Sequence, residues 1–201
     1  MRRAVFLDRD GVINPLVYRT GEGTLDSPYS LEEFCLLPRA GAAVRAINDM
    51  GKLAIVASNQ PGVAKGKCSS RTLDLLTRKM VGELARHGAR LDGCHYCLHH
   101  PEGVVAEYRT VCSCRKPQPG LLLQAALELD VDLTGSYMIG DRDKDIQAGR
   151  AAGCRTILVD YGEGHSAMGW DAACRPDFVV YDLMEAVLLI QEREVAGAHI
   201  H

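Results

Sequence analysis

Three short stretches carry groups able to do chemistry, and each follows an apolar run: Asp8-Arg9-Asp10-Gly11, Ser58-Asn59-Gln60 and Gly140-Asp141-Arg142-Asp143. In open α/β sheets, ligands bind beyond the carboxyl ends of the strands. Asp8 and Asp10 lie two apart, so they share a face if the strand persists. Asp141 ends another run and can approach them. One aspartate in such a place is ordinarily a turn former or a helix cap. Three converging carboxylates repel one another, and a hard cation relieves the repulsion. Mg²⁺ suits oxygen ligands and keeps waters for a phosphate. A carboxylate beside that cation can attack phosphorus, and a second carboxyl can protonate the leaving oxygen. Ser58 and nearby backbone N–H groups would hold phosphoryl oxygens. Lys116, in Cys114-Arg115-Lys116-Pro117, is the candidate to balance the charge.

A second cluster runs from Cys94-His95-Tyr96-Cys97-Leu98-His99-His100 to Cys112-Ser113-Cys114. Thiolates and imidazoles this dense favour Zn²⁺. Cys97 and His99 are two apart and project to one side of an extended segment, and Cys112 and Cys114 share that spacing. Cys94 and His100 have the wrong parity to join them. The set Cys97, His99, Cys112, Cys114 is a closed Cys₃His site, which is the structural type. It would staple a loop, about 97–114, that runs directly into Arg115 and Lys116.

The elements that must position these groups alternate along the chain. Strands are expected at 4–7, 53–57, 94–98, 136–139, 156–159 and 178–180. Helices are expected at 38–50, from Ser69 or Ser70 to about 86, at 119–129, at 145–152 and from 183 to about 194. Short apolar strands separated by helices imply βαβ units and a parallel, Rossmann-like sheet covered on both faces. Residues 14–37 and 99–118 do not fit the alternation, and long loops in compact domains tend to be functional. Trp170 is a candidate packing anchor within an otherwise loop-like 161–176, and His199 and His201 read as a frayed tail.

Composition narrows the classes. The chain has 201 residues, 47% of them apolar, with 23 Lys+Arg against 26 Asp+Glu. That fits one folded domain over 1–201 and argues against disorder. A net charge of −3 argues against a dedicated nucleic-acid binder. No apolar window is long enough for a membrane span, and charge arrives too early for a secretory signal. Eight cysteines then point to a reducing compartment, the cytoplasm. Monomer is the default.

These motifs resemble the haloacid dehalogenase-like phosphatases. Asp8-Arg9-Asp10-Gly11-Val12, Ser58-Asn59, Lys116 and Gly140-Asp141-Arg142-Asp143-Lys144-Asp145 stand in the family's order over roughly residues 3 to 160. The resemblance implies that Asp8 is a nucleophile forming an aspartyl-phosphate and that Asp10 is the general acid/base. Ser58 binds the phosphoryl group and Lys116 neutralises it. Asp141, the Asp8 side chain and the Asp10 backbone carbonyl bind Mg²⁺. Asp145 supports the cluster from behind, with Asp143 the weaker candidate. The minimal cap, a short insert after the first motif plus the zinc loop, implies an open site for a small metabolite.

The pattern Cys-x-His…Cys-x-Cys-Arg-Lys-Pro is similar to two families, the D-glycero-D-manno-heptose 1,7-bisphosphate phosphatases and the histidinol-phosphate phosphatases. The 12 residues from His100 to Val111 match the longer loop of the heptose family. That likeness implies removal of the C7 phosphate of a sugar bisphosphate, with Arg115 gripping the retained phosphate. Asn59 and Gln60 would bond sugar hydroxyls. The segment Pro15–Gly23 is longer than the family pattern. Its Tyr18 and Arg19 either touch substrate or belong to an exposed loop. The competing readings are a histidinol-phosphate or broader sugar-phosphate phosphatase, a receiver-like phosphoacceptor, and a zinc-stapled binding module.

Overall fold

A computed structural model describes residues 1–161 and 175–198. Trp170, His199 and His201 lie outside the described residues. Six parallel strands form one sheet in the order β5-β4-β1-β6-β7-β8. They are β1 (Ala4–Leu7), β4 (Leu53–Asn59), β5 (Gly93–Cys97), β6 (Tyr137–Gly140), β7 (Arg155–Val159) and β8 (Phe178–Val180). Every strand expected from the sequence is present, with ends displaced by at most two residues. Two short strands were not expected: β2 (Val17–Arg19) and β3 (Thr24–Asp26) pair antiparallel as a hairpin.

The central strand explains the layers. Val5 and Leu7 point to one face and Ala4 and Phe6 to the other, all fully buried. The first face packs on α1 (Ala40–Asp49), α2 (Ser70–Arg86) and α5 (Leu183–Ala198) through residues such as Ile47, Met80 and Val187. The second packs on α3 (Gly120–Leu129) through Leu121, Leu122 and Ala125. Helix α4 (Asp143–Ala151) lies so close to β6 and β7 that a Cβ on Gly149 would meet Met138 Cβ at 2.7 Å. A sheet buried on both sides accounts for strands that read as unbroken apolar runs.

Two helix starts matter for the site. Ser69 caps α2, accepting from the Thr72 N–H at 3.0 Å. Helix α4 begins at Asp143, two residues before the expected start, because Asp145 reaches back to accept the Arg142 N–H at 3.1 Å. Asp145 is therefore a capping residue inside the first turn. Since β4, β1 and β6 are adjacent and parallel, their carboxyl ends deliver Ser58, Asp8 and Asp141 to one edge of the sheet.

Candidate active site

Lys116 is the hub of this edge. Its side chain is 1% exposed, and its Nζ lies 3.0 Å from Asp8 Oδ1 and 2.5 Å from Asp145 Oδ1. It also donates to the Ala57 carbonyl at 2.7 Å. The two carboxylates hold the ammonium well above the usual lysine range against the opposing effect of burial, so it is charged. Asp8 Oδ1 additionally accepts the Arg9 N–H at 2.8 Å.

Asp8, Asp141 and Asp145 each offer an oxygen, and these oxygens lie within 4.8 Å of one another. Burial, then the Asp145 and Asp8 carboxylates, pushes Asp141 well above the normal carboxyl range. Asp141 Oδ1 is buried without a hydrogen-bond partner. An orphaned buried oxygen among three carboxylates is a poor arrangement alone and a suitable one around a hard divalent cation. Gly11 makes room for it: its φ is +81°, and a Cβ there would meet Asp141 Oδ2 at 2.3 Å. A side chain at position 11 would be strained and would displace Asp141.

Asp10 is enclosed differently. Oδ1 accepts from Arg9 Nε and Asn14 Nδ2, both at 2.9 Å. Oδ2 accepts from Gln60 Nε2 and Ser27 Oγ, both at 2.8 Å. Arg9 is fully buried and stacks 5.9 Å from the Tyr96 ring centroid. The Arg9 charge and these hydrogen bonds outweigh burial and hold Asp10 below the usual carboxyl range.

The second cluster closes as expected. Sγ–Sγ separations among Cys97, Cys112 and Cys114 are 3.1 to 3.5 Å, and His99 Nδ1 lies 3.4 Å from Cys114 Sγ and 3.8 Å from Cys97 Sγ. These are too long for disulfides, which need about 2.05 Å. The Sγ–Sγ separations fall somewhat short of the edges, about 3.8 Å, of a tetrahedron built on metal–sulfur bonds of about 2.3 Å. The four residues could hold zinc. The loop is tied to the first site: Asn59 Nδ2 donates to the Lys116 carbonyl and Asn59 Oδ1 accepts the Lys116 N–H, each at 3.0 Å.

A cavity of 460 Å³ opens above these groups. Its floor is Asp8, Asp10, Lys116 and Asp145. One wall carries Lys65, His100, Arg115 and Lys144, and the hairpin supplies Glu22, Thr24, Asp26 and Ser27. Burial first, then Arg115 and Lys65, holds His100 below the ordinary histidine range. Lys65, Arg115 and Lys144 on this side of the cavity make a natural anion subsite.

Several expected contacts are made otherwise. Gln60 is buried on Asp10 and Ser58 Oγ rather than open to sugar hydroxyls. The Asn59 amide is spent on Lys116, although Asn59 lines the cavity. Arg19 does not line the cavity; Glu33 binds it at 2.5 and 3.0 Å, and it donates to the Ser27 carbonyl at 2.6 Å. Tyr18 is 61% exposed and also lies away from the cavity. Ser58 is buried beneath the floor, accepting from Gln60 at 3.1 Å. Asp143 is exposed on the helix start. Ser27, Lys65, His100 and Lys144 were missed as site residues. For His100 a signal existed: the parity that excludes it from the cysteine side sends it to the other side of the segment.

The chain has known relatives in sequence and in fold. The profile of the HAD-hydrolase-like family matches residues 113–186. The chain is 38% identical over 193 residues to D-glycero-beta-D-manno-heptose-1,7-bisphosphate 7-phosphatase of Yersinia pestis, covering 94% of this chain and 96% of that one. It is 38% identical over 194 residues to the Escherichia coli K12 protein of the same name, covering 95% of each. Among solved structures it is similar to D,D-heptose 1,7-bisphosphate phosphatase from B. bronchiseptica complexed with magnesium and phosphate. There the TM-score is 0.77 and the identity 32%, over 94% of this chain and 99% of that one.

Proposed function

The chain belongs to the D-glycero-beta-D-manno-heptose-1,7-bisphosphate 7-phosphatase family of haloacid dehalogenase-like hydrolases, and on that footing we propose that it removes the C7 phosphate from the beta anomer of this sugar bisphosphate and releases the heptose 1-phosphate. The observation that carries the reading is Asp8 at the cavity floor, 3.0 Å from the buried Lys116 Nζ and grouped with Asp141 and Asp145.

Asp8 attacks phosphorus, and the bond from phosphorus to the C7 oxygen breaks as Asp10 passes that oxygen a proton. An acyl phosphate is left on Asp8. Asp10 then takes a proton from water, which attacks the phosphorus and restores Asp8. Lys116 offsets phosphate charge throughout, and Asp145 keeps Lys116 in place. Ser58 acts from beneath the floor, accepting from Gln60, which in turn donates to Asp10. Asp8 and Asp141, grouped with Asp145, would hold magnesium together with the Asp10 backbone carbonyl that the family resemblance implies, and the ion would offset the repulsion between Asp8 and phosphate and stabilise charge on the transferring group.

The retained phosphate sits on the wall of Lys65, His100, Arg115 and Lys144. Arg115 suits it because the fork of a guanidinium matches phosphate oxygens. The same wall disfavours histidinol phosphate, whose amine would face like charge. Among the described residues no helix is long and apolar enough to cross a membrane. The described cysteines form no disulfide, which suits a reducing compartment, the cytoplasm.

Phosphate release from a substrate panel, with magnesium present or chelated, tests the reading. The heptose bisphosphate should release one phosphate per molecule, and chelation should stop it. Histidinol phosphate should be slower in kcat/KM by about a hundredfold, since like-charge juxtaposition costs several kcal/mol. Equal turnover of histidinol phosphate, or loss of both phosphates, would contradict the assignment.

Zinc on Cys97, His99, Cys112 and Cys114 serves a structural role, with no open position for water. It fixes the loop that delivers Arg115 and Lys116. Purified protein should contain one zinc, and Cys112→Ser should lose it. The expected drop in Tm is about 5–10 °C, at 2–4 °C per kcal/mol for a chain of this size. Unchanged zinc content and Tm in that variant would remove Cys112 from the set.

A further inference from the structure

The hairpin sends one hydroxyl onto the acid/base, and we propose that Ser27 is the positioning residue that seats the Asp10 carboxyl at the cavity for its part in turnover. The inference rests on the role given to Asp10 above.

Asp10 is crowded by donors. Arg9 Nε and Asn14 Nδ2 reach Oδ1, while Arg9 Nη2 at 3.1 Å, Gln60 Nε2 at 2.8 Å and Ser27 Oγ at 2.8 Å reach Oδ2. Guanidinium and amide N–H groups only donate. They suit a carboxylate and oppose a carboxylic acid. The reaction needs both forms, the acid before the leaving oxygen departs and the carboxylate before water is activated. A hydroxyl serves both: it donates to the carboxylate and, once its hydrogen swings away, accepts from the acid. Gln60 could do so only by turning its buried amide through half a circle. Ser27 moves one hydrogen. It also lines the cavity while only 8% exposed, so the displaced hydrogen can face substrate or water there.

The hairpin is built to hold this hydroxyl. Arg19 donates to the Ser27 carbonyl at 2.6 Å and is itself gripped by Glu33. Asp26 Oδ1 accepts the Ser27 N–H at 2.9 Å. Lys67, from the segment after β4, holds Asp26 Oδ2 at 2.8 Å and Glu22 Oε2 at 2.8 Å. Arg19, Asp26 and Lys67 thus converge on the backbone and the seat of one serine. That gives Arg19 a purpose although it lies away from the cavity.

The test compares kcat/KM on the heptose bisphosphate and on p-nitrophenyl phosphate for wild type, Ser27→Ala and Ser27→Thr. This parameter covers the steps up to departure of the leaving group. A sugar alkoxide needs a proton from Asp10, whereas nitrophenolate leaves without one. Ser27→Ala should lose about ten- to a hundredfold on the sugar, at or below the 10²–10⁴ that general acid catalysis supplies. On the aryl ester it should lose less than about threefold, and Ser27→Thr should restore the sugar rate to within about threefold of wild type. An equal loss on both esters, accompanied by a fallen Tm, would mean a purely structural role and overturn the proposal. No loss on either ester would overturn it too. A wild type that cleaves neither ester refutes the functional reading first, and the role of Ser27 falls with it.

Discussion

Asp8→Asn should abolish turnover, lowering kcat by about 10⁴-fold or more, the scale seen when an enzyme loses its nucleophile. A carboxamide cannot donate the electron pair that forms the acyl phosphate. The loss should be chemical rather than structural. Asparagine is isosteric, and its Oδ1 can still accept the Arg9 N–H that Asp8 accepts at 2.8 Å. Lys116 keeps Asp145 as its ion partner at 2.5 Å. Removing one of three mutually repelling carboxylates also relieves Asp141, which burial, Asp145 and Asp8 push up. Tm should therefore stay within a few degrees of wild type or rise slightly. Phosphate release on the heptose bisphosphate, read beside a melting curve, checks both halves. Residual activity within about a hundredfold of wild type would move the nucleophile elsewhere.

Lys116→Met should damage stability as well as rate. The lysine is buried beside two carboxylates. Methionine keeps much of the volume and removes the charge. Breaking a buried pair costs about 3–5 kcal/mol, because the remaining charge has no partner. Proton uptake limits that cost. Burial already pushes Asp145 up to about 6, despite the opposing pull of Lys116, so without the lysine it becomes protonated. A fall in Tm of about 10 °C is expected in the absence of divalent cations, at 2–4 °C per kcal/mol. Added magnesium should recover part of the Tm through binding to the folded form. Turnover should not recover, since nothing replaces the ammonium beside Asp8, and kcat/KM should stay down by about 10³-fold, of the order lost with one oxyanion-stabilising donor. Melting and kinetics in matched buffers measure both effects. A Tm that ignores the substitution without metal would mean that Asp8 and Asp145 do not depend on this cation.

The sequence made the catalytic edge readable because a parallel sheet collects its carboxyl ends. Asp8, Ser58 and Asp141 each follow an apolar run, and the order of β4, β1 and β6 makes those runs neighbours. The clustering of Cys97, Cys112 and Cys114 with His99 was readable because residues two apart on an extended chain share a side. The hairpin was not. Its strands have three residues each, largely exposed or half-buried, so no alternation marks them. Asn59 and Gln60, expected to bond sugar hydroxyls, instead find protein partners. They stand on opposite faces at the end of β4, so one packs toward Lys116 and the other toward Asp10. Parity alone would have separated them. Helix α4 started early because Asp145 is a cap as well as a partner of Lys116, and one residue doing two tasks leaves no separate mark in the sequence.

The most direct test of the account is to catch phosphate on Asp8. Asp10→Asn, which lacks the group that activates water, should be mixed with the heptose bisphosphate and magnesium, acid-quenched and digested. The peptide carrying Asp8 should gain the mass of one phosphoryl group, and the gain should vanish when the Asp8→Asn change is added. Phosphate released with no phosphorylated peptide at any quench time, or a phosphoryl group on another residue, would contradict a mechanism in which Asp8 strikes phosphorus.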